Sequence, residues 1–325
     1  MILIVGGAGY VGSHVNKLLN RAGIPTVVFD NLSRGHREFA KWGSFFFGDL
    51  SEKGQIQRCF RKYPFQAVMN FSAFADVGES ITQPSKYYLN NVTNGQNLIE
   101  AMLDHGVAGI IFSSTCAIYG EPRQIPITEA DPKDPINPYG RSKLAFEHLL
   151  EDCDVAYGLK SVCLRYFNAA GASEQFGEDH DPETHLIPNV LKAALGRGPG
   201  LEVFGNDYPT PDGTCVRDYV HISDLASAHE KALGLLREGR SEKFNLGNGK
   251  GFSVLEVVET AGKVAGRAIP YKISARRKGD PAVLVASSAK AEQCLGWRPR
   301  YASLESIIGS AWKWHSEHPD GYLSG

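Results

Sequence analysis

The chain has 325 residues, with 34 Lys and Arg against 36 Asp and Glu and a formal charge of −2. Hydrophobic residues make up 42% and charged residues 22%, a globular balance that excludes a disordered chain and lacks the basic footprint of a nucleic-acid binder. At about 150 residues per domain, the length suggests two domains, or one large α/β domain with a smaller lobe grown onto it.

The first strand-like run, Ile2 to Val5, begins at once, with no basic and then apolar leader ahead of it. No later stretch is long and apolar enough to span a bilayer, so a cytoplasmic chain with no membrane partner is expected. The six cysteines are scattered with no CxxC pair and read as reduced thiols, and no metal ligand set is read from the sequence.

Short β-branched runs alternate with longer helical-period segments through the first half, the pattern of a parallel sheet with crossover helices. The runs are Ile2 to Val5, Thr26 to Phe29, Ser44 to Phe47, Ala67 to Phe71, Gly109 to Ser113 and Ser161 to Leu164. Val11, Val15, Leu18 and Leu19 make a helical stripe that Gly23 and Pro25 stop. Leu98, Ala101 and Met102 recur similarly before the fifth run, and Leu144, Leu149 and Leu150 after it. The fold class expected is α/β, a doubly wound parallel Rossmann sheet with a smaller C-terminal substrate-binding α/β lobe. After Asn168 the texture changes to Gly- and Pro-rich loops, so residues 1–168 are expected to form the sheet domain and 169–325 the lobe. Segments near 214–246 are expected to return to the sheet, because Phe244 to Leu246 again reads as a buried strand. Trp312, Trp314 and His315 are expected to close a last helix against the core.

Gly6, Gly9 and Gly12 form GxxGxxG between the first strand and the first helix, with Tyr10 and Val11 inside the motif. Missing side chains let backbone approach a pyrophosphate, and the helix N-terminus offers N–H groups and partial positive charge. Asp30 ends the second strand about twenty residues later, where a carboxylate accepts ribose hydroxyls and repels a 2′-phosphate, favouring NAD as cofactor over NADP. Arg34 and Arg37 lie nearby in sequence. Asp49 reads equally as an adenine contact or as a helix N-cap.

Tyr139 and Lys143 sit as Tyr-x-x-x-Lys in Asn-Pro-Tyr-Gly-Arg-Ser-Lys, opening a helix after a Pro-rich loop. The spacing puts both on one helical face, where an ammonium favours the phenolate. Making a Tyr a base near pH 7 requires about 4 kcal/mol. One cation about 4.5 Å away at an effective dielectric of about 20 supplies roughly that. Ser113, Ser114 and Thr115 close the fifth strand at the carboxyl edge of the sheet, where a hydroxyl could hold a substrate oxygen or merely satisfy backbone groups.

GxxGxxG, the Ser-Ser-Thr strand end, Tyr-x-x-x-Lys and Leu164-Arg165-Tyr166-Phe167-Asn168 together resemble the extended short-chain dehydrogenase/reductase family. Within it, the segments Gly205 to Thr210, Val216 to His221 and Arg276 to Asp280 look like the UDP-glucose 4-epimerase branch, and the likeness runs over nearly the whole chain. Sister dehydratases carry an Asp-Glu pair beside the catalytic Thr, whereas this sequence reads Thr115-Cys116-Ala117.

The resemblance implies Tyr139 as base, Lys143 as its partner and Thr115 as the substrate-holding hydroxyl. It places Gly6, Gly9, Tyr10, Val11, Gly12, Asp30, Asn31, Asp49, Leu50, Phe71, Asn91, Ser113 and Tyr166 around NAD. It assigns Asn168, His185, Leu186, Phe204, Arg217, Arg277, Asp280 and Leu284 to a UDP-hexose, the arginines as charge-assisted clamps on the diphosphate. The activity implied is reversible C4 epimerisation of UDP-glucose and UDP-galactose through a 4-keto intermediate, by a homodimer. Leu284 lies where a large aromatic often excludes N-acetylated sugars, so a UDP-N-acetylglucosamine or UDP-pentose 4-epimerase stays open, with a catalytically silent NAD-binding module as a remote alternative.

Overall fold

A computed structural model describes residues 1–198, 200–277 and 280–322; Lys278 and Gly279, read above as part of a motif, lie outside the described residues. In chain order the strands are β1 (Ile2–Val5), β2 (Thr26–Asp30), β3 (Ser44–Phe47), β4 (Ala67–Asn70), β5 (Gly109–Thr115), β6 (Lys160–Tyr166), β7 (Asn168–Ala170), β8 (Leu201–Phe204), β9 (Val216–Arg217), β10 (Tyr219–His221), β11 (Glu242–Leu246), β12 (Phe252–Ser253), β13 (Tyr271–Ser274) and β14 (Val283–Leu284). The helices are α1 (Tyr10–Arg21), α2 (Lys53–Lys62), α3 (Val77–Thr82), α4 (Pro84–Tyr88), α5 (Asn94–Asp104), α6 (Pro138–Tyr157), α7 (Leu186–Ala194), α8 (Ile222–Arg237), α9 (Val254–Ala265), α10 (Ala289–Leu295) and α11 (Leu304–Glu317).

The chain forms two compact units, the first made of Met1–Glu121, Pro132–Arg165 and Ala226–Phe244, the second of Pro122–Asp131, Tyr166–Leu225 and Asn245–Gly325. In the first, seven strands run in the order β11-β6-β5-β4-β1-β2-β3, the doubly wound sheet expected from the sequence. β1 pairs in parallel with β2 and β4, bringing Val5 beside Phe29 and Asn70. β1, β2, β4 and β5 are buried along their whole length, which is why they read as continuous apolar runs without alternation. Leu3, Val27, Val68, Ile110, Phe112, Phe146 and Cys163 belong to one core cluster, and each fully buried aliphatic side chain contributes about 1.5–3 kcal/mol.

In the second unit a three-stranded sheet, β12-β9-β14, and two strand pairs, β10-β7 and β13-β8, frame a separate core with α7, α9 and α11. Trp314 and His315 are buried and Trp312 packs partly against that core, so the C-terminal helix closes as expected. Residues 214–225 and 122–131 fold with this unit. Asp218 accepts backbone N–H groups of Asn248, Gly249 and Ala286, and Ile127 bridges to Ala286, which ties both stretches there. Of the segment 214–246, Ala226–Phe244 returns to the sheet unit, and the expected strand Phe244 to Leu246 forms the end of its edge strand β11.

Candidate active site

α1 starts directly behind β1 because Gly6 takes φ +72°, a left-handed conformation that turns the chain sharply. A Cβ on Gly12 would lie 2.4 Å from the Gly6 carbonyl oxygen, so the helix is pressed against the strand-end turn. Its N-cap is Gly9, with no side-chain hydrogen bond, and no acidic residue stands in its first turn. Neither an N-cap side chain nor a first-turn acid of α1 therefore competes with an anion for this helix end. Tyr10 is buried and Val11 half-buried at the same turn.

Asp30 ends β2 with its Oδ2 accepting the Ala8 N–H at 2.9 Å and its Oδ1 the Leu32 N–H at 2.8 Å. Burial outweighs these two bonds and raises its carboxyl above the usual range. Leu32 is held at φ +58°, the one non-glycine described there. Arg37 is engaged elsewhere, donating to the Ala40 carbonyl at 3.2 Å and lying 4.4 Å above the Phe45 ring.

Asn31 donates to Asp49 Oδ2 at 2.6 Å, and Asp49 Oδ1 accepts the Ser51 N–H at 2.7 Å. Burial acts upward on Asp49, but these bonds outweigh it and hold the carboxyl below its usual range. The N-cap of α2 is Glu52, so the N-cap reading of Asp49 is overturned: its carboxylate closes an Asx turn instead. Leu50 joins the core. Phe71 follows β4, its ring 4.8 Å from that of His229. Asn91 is buried, with Oδ1 accepting the Phe74 N–H at 2.9 Å and Nδ2 reaching Ser142 Oγ at 3.1 Å, which fastens the loop after β4 to α6. Tyr166 ends β6, half-buried.

α6 begins where Asn137 accepts the Gly140 N–H at 2.8 Å and Pro138 takes the first turn, the two residues best suited to those positions. Gly140 is required: a Cβ there would lie 2.5 Å from the Ala117 carbonyl oxygen, so its absence lets α6 abut the turn Cys116–Tyr119. Thr115 caps that turn, its Oγ1 accepting the Ala117 N–H at 3.2 Å. Tyr139 is half-buried, its ring 6.4 Å from that of Tyr87 in an edge-on arrangement.

One turn on, Lys143 is buried and donates to the Ser113 carbonyl at 2.7 Å. Its ammonium also lies 4.6 Å from the centre of the Phe112 ring. Burial pulls its pKa down to about 7, opposed by the charge of Glu147. Glu147, a further turn along the same face, accepts Ser114 Oγ at 2.6 Å, Arg165 Nε at 3.0 Å and Arg165 Nη2 at 2.6 Å. Arg165 completes the chain by donating to the Tyr119 hydroxyl at 2.9 Å. Burial works against ionised Glu147, but Arg165 and Ser114 outweigh it and hold the carboxyl below its usual range. Ser113, Ser114 and Thr115 thus divide their work: a carbonyl for Lys143, a hydroxyl for Glu147 and a cap for the following turn. Sequence reasoning missed Glu147, Arg165 and Tyr119, although Tyr139, Lys143 and Glu147 recur at a helical spacing.

In the second unit, β9 and β14 pair Arg217 with Leu284. Arg217 Nη2 meets Asp280 Oδ1, and Nη1 donates to the Val216 carbonyl at 2.8 Å. Burial acts downward on Arg217, but the Asp280 charge outweighs it and raises its pKa. Arg277 lies 4.0 Å above the Phe204 ring at the end of β8. Asn168 donates from Nδ2 to the Asp218 carbonyl at 3.0 Å. His185 caps α7 and Leu186 is its first residue. The structure therefore brings Arg217, Asp280 and Leu284 together, and Phe204 with Arg277.

Comparison with known proteins adds the family. The model of the NAD dependent epimerase/dehydratase family matches residues 2–247. UDP-glucose 4-epimerase of Halalkalibacterium halodurans is 52% identical over 324 residues, covering 99% of this chain and 97% of that protein. The crystal structure of UDP-glucose 4-epimerase from Brucella ovis in complex with NAD superposes with a TM-score of 0.93 at 49% identity, covering 96% of this chain and 97% of that one. The enzyme from Bifidobacterium longum in complex with NAD+ and UDP gives a TM-score of 0.95 at 37% identity, covering 99% of both chains. The chain therefore belongs to the NAD dependent epimerase/dehydratase family and, within it, to the UDP-glucose 4-epimerases.

Proposed function

We propose that this chain interconverts UDP-glucose and UDP-galactose at C4 through a 4-keto sugar, with Tyr139 as the base and NAD held by the glycine turn, Asp30 and Lys143. The observation that carries the assignment of roles is the α6 face. It presents Tyr139 at its start and a buried Lys143 one turn later, anchored on the strand end that also carries Thr115.

NAD, when bound, supplies the reversible acceptance of hydride from C4. The glycine turn fits it, because the close approach of Gly12 to Gly6 leaves no room for a side chain and α1 presents an uncapped end. Tyr139 takes the proton of the 4-hydroxyl and later returns it. Lys143 favours the phenolate by its charge, and Thr115 holds the O4 atom through its hydroxyl. Arg217 and Arg277 grip the diphosphate, Phe204 supports the uracil, and Asn168, His185, Leu186, Asp280 and Leu284 complete the nucleotide-sugar set. Hydride returned to the face it left regenerates substrate, so the UDP must be gripped firmly and the hexose held loosely enough to turn.

Tyr139→Phe tests the assignment. Turnover of UDP-galactose falls about 10²–10⁴-fold while NAD and UDP are retained. Near-normal turnover removes Tyr139 from the mechanism. Separate incubations with UDP-galactose, UDP-N-acetylgalactosamine and UDP-arabinose, without added NAD, decide the sugar accepted beside Leu284.

A cytoplasmic homodimer belongs to the same proposal. No helix among the described residues is long and apolar enough to cross a membrane, no disulfide joins the cysteines, and Val155 and Tyr157 of α6 are exposed. Light scattering of the purified chain gives the mass of two chains on this reading.

A further inference from the structure

The loop ahead of α7 carries four side chains that the mechanism above does not explain as a group: Glu178, His180, Glu183 and His185. Their donor atoms, one from each residue, all lie within 4.8 Å of one another. His180 Nδ1 stands 3.3 Å from Glu178 Oε1 and 3.8 Å from Glu183 Oε2. His185 Nδ1 meets Glu178 Oε1 directly and lies 3.8 Å from Glu183 Oε1. Four donors around one ion with bonds of about 2.0–2.1 Å stand about 3.4 Å apart, so the widest pairs would close by about 1.4 Å and His185 would part from Glu178.

A second observation points inward to the same spot. The Glu183 side chain is 3% exposed, and its Oε2 has no hydrogen-bond partner. Its other oxygen is committed, accepting the His185 N–H at 2.8 Å. Glu178 is 4% exposed. Two carboxylates withdrawn from water require compensating positive charge, and an orphan oxygen among imidazole nitrogens is the arrangement a cation completes.

The loop is also braced. Phe176 is fully buried, Gly177 N–H donates to the Tyr322 hydroxyl at 3.0 Å, and Asp179 Oδ2 accepts the Tyr322 N–H at 2.9 Å. His185 is the N-cap of α7, so an ion here would pin the start of that helix.

We propose that Glu178, His180, Glu183 and His185 form a binding site for one divalent transition-metal ion. Two imidazoles and two carboxylates, with no thiolate, make a donor set suited to Zn²⁺ and matched by Co²⁺. The spacing Glu-x-His-x-x-Glu-x-His within eight residues is the sequence signal, visible only when the four residues are taken as a set. The site meets the epimerase reading only at His185, so its test is read by metal content rather than by turnover.

The untagged full-length chain, stripped with chelator and dialysed, is titrated with Co²⁺ and then Zn²⁺, and read by metal content and by visible absorption. The expected result is one Co²⁺ per chain, with the d–d bands of a nitrogen and oxygen ligand field, no thiolate charge-transfer band, and displacement by Zn²⁺. His180→Asn and Glu183→Gln each weaken binding about tenfold or more. The proposal is overturned if the wild-type chain takes up no metal at micromolar concentrations, which would leave the cluster an ion-pair network. It is equally overturned if a thiolate band shows the cysteines to be the ligands, or if both folded variants bind as tightly as the wild type.

Discussion

Replacing Glu147 by Gln isolates the electrostatic part of the proposed mechanism, because the residue acts on Lys143 without touching substrate. Residues four apart on a helix have Cβ atoms about 5–6 Å apart. At about 6 Å and an effective dielectric of about 20, one carboxylate stabilises the ammonium by about 2.8 kcal/mol, equivalent to about 2 pKa units. Glu147 works against the desolvation that has already drawn Lys143 down to about 7. Without it, the uncompensated charge of Arg165 acts in the same direction as burial, so Lys143 releases its proton at lower pH. The pH profile of kcat/KM therefore loses its alkaline side at lower pH than that of the wild type, by about 2 pH units, and activity at pH 7 falls about ten- to a hundredfold.

The assay is conversion of UDP-galactose from pH 5 to 9, with products separated by chromatography so that no coupling enzyme contributes its own pH dependence. The amide of the Glu147→Gln variant keeps one acceptor oxygen for Ser114 and Arg165, but its NH2 group faces a guanidinium that can only donate, and the broken buried pair costs about 3–5 kcal/mol. Thermal melts and NAD content accompany the kinetics for that reason. A folded variant with full NAD content and an unmoved alkaline limb refutes the electrostatic role.

Gly12→Ala places a methyl 2.4 Å from the Gly6 carbonyl oxygen, where neither partner is a flexible side chain. The chain loses about 1–3 kcal/mol of stability and most of its retained NAD, measured by release and chromatography of the cofactor; full occupancy would exclude the turn as the pyrophosphate cradle. Arg217→Ala leaves Asp280 without its guanidinium partner and removes the proposed diphosphate clamp, so calorimetry with UDP shows affinity lower by about 2 kcal/mol or more. UDP affinity equal to wild type would take Arg217 out of the substrate set.

The strands of the sheet are legible in the sequence because burial on both faces leaves only apolar residues, as in Ile2 to Val5 and Ala67 to Met69. Tyr139 and Lys143 are legible because their spacing is local and their element opens with Asn137 and Pro138, which state a helix start in sequence. Other features depend on partners far along the chain. Arg165 reaches Glu147 from β6, and Asp280 reaches Arg217 across 63 residues. Asp49 is ambiguous in sequence between an adenine contact and a helix N-cap, because the bond from Asn31, 18 residues earlier, that engages its carboxylate is not visible there.

The face that α6 turns inward explains why fold and chemistry are hard to separate here. An ordinary core helix would bury Leu or Phe at the positions of Lys143 and Glu147, and apolar residues there would cost no desolvation. Instead the ammonium rests on the Ser113 carbonyl and the carboxylate is tied by Ser114 and Arg165. Each bond offsets part of the burial cost and fixes one side chain in place. That arrangement trades stability for a buried lysine whose proton is held less tightly than in water, as the proposed role beside Tyr139 requires. The same bonds anchor α6 to the end of β5, so Tyr139 is carried by a helix that cannot shift without leaving a buried charge unpaired.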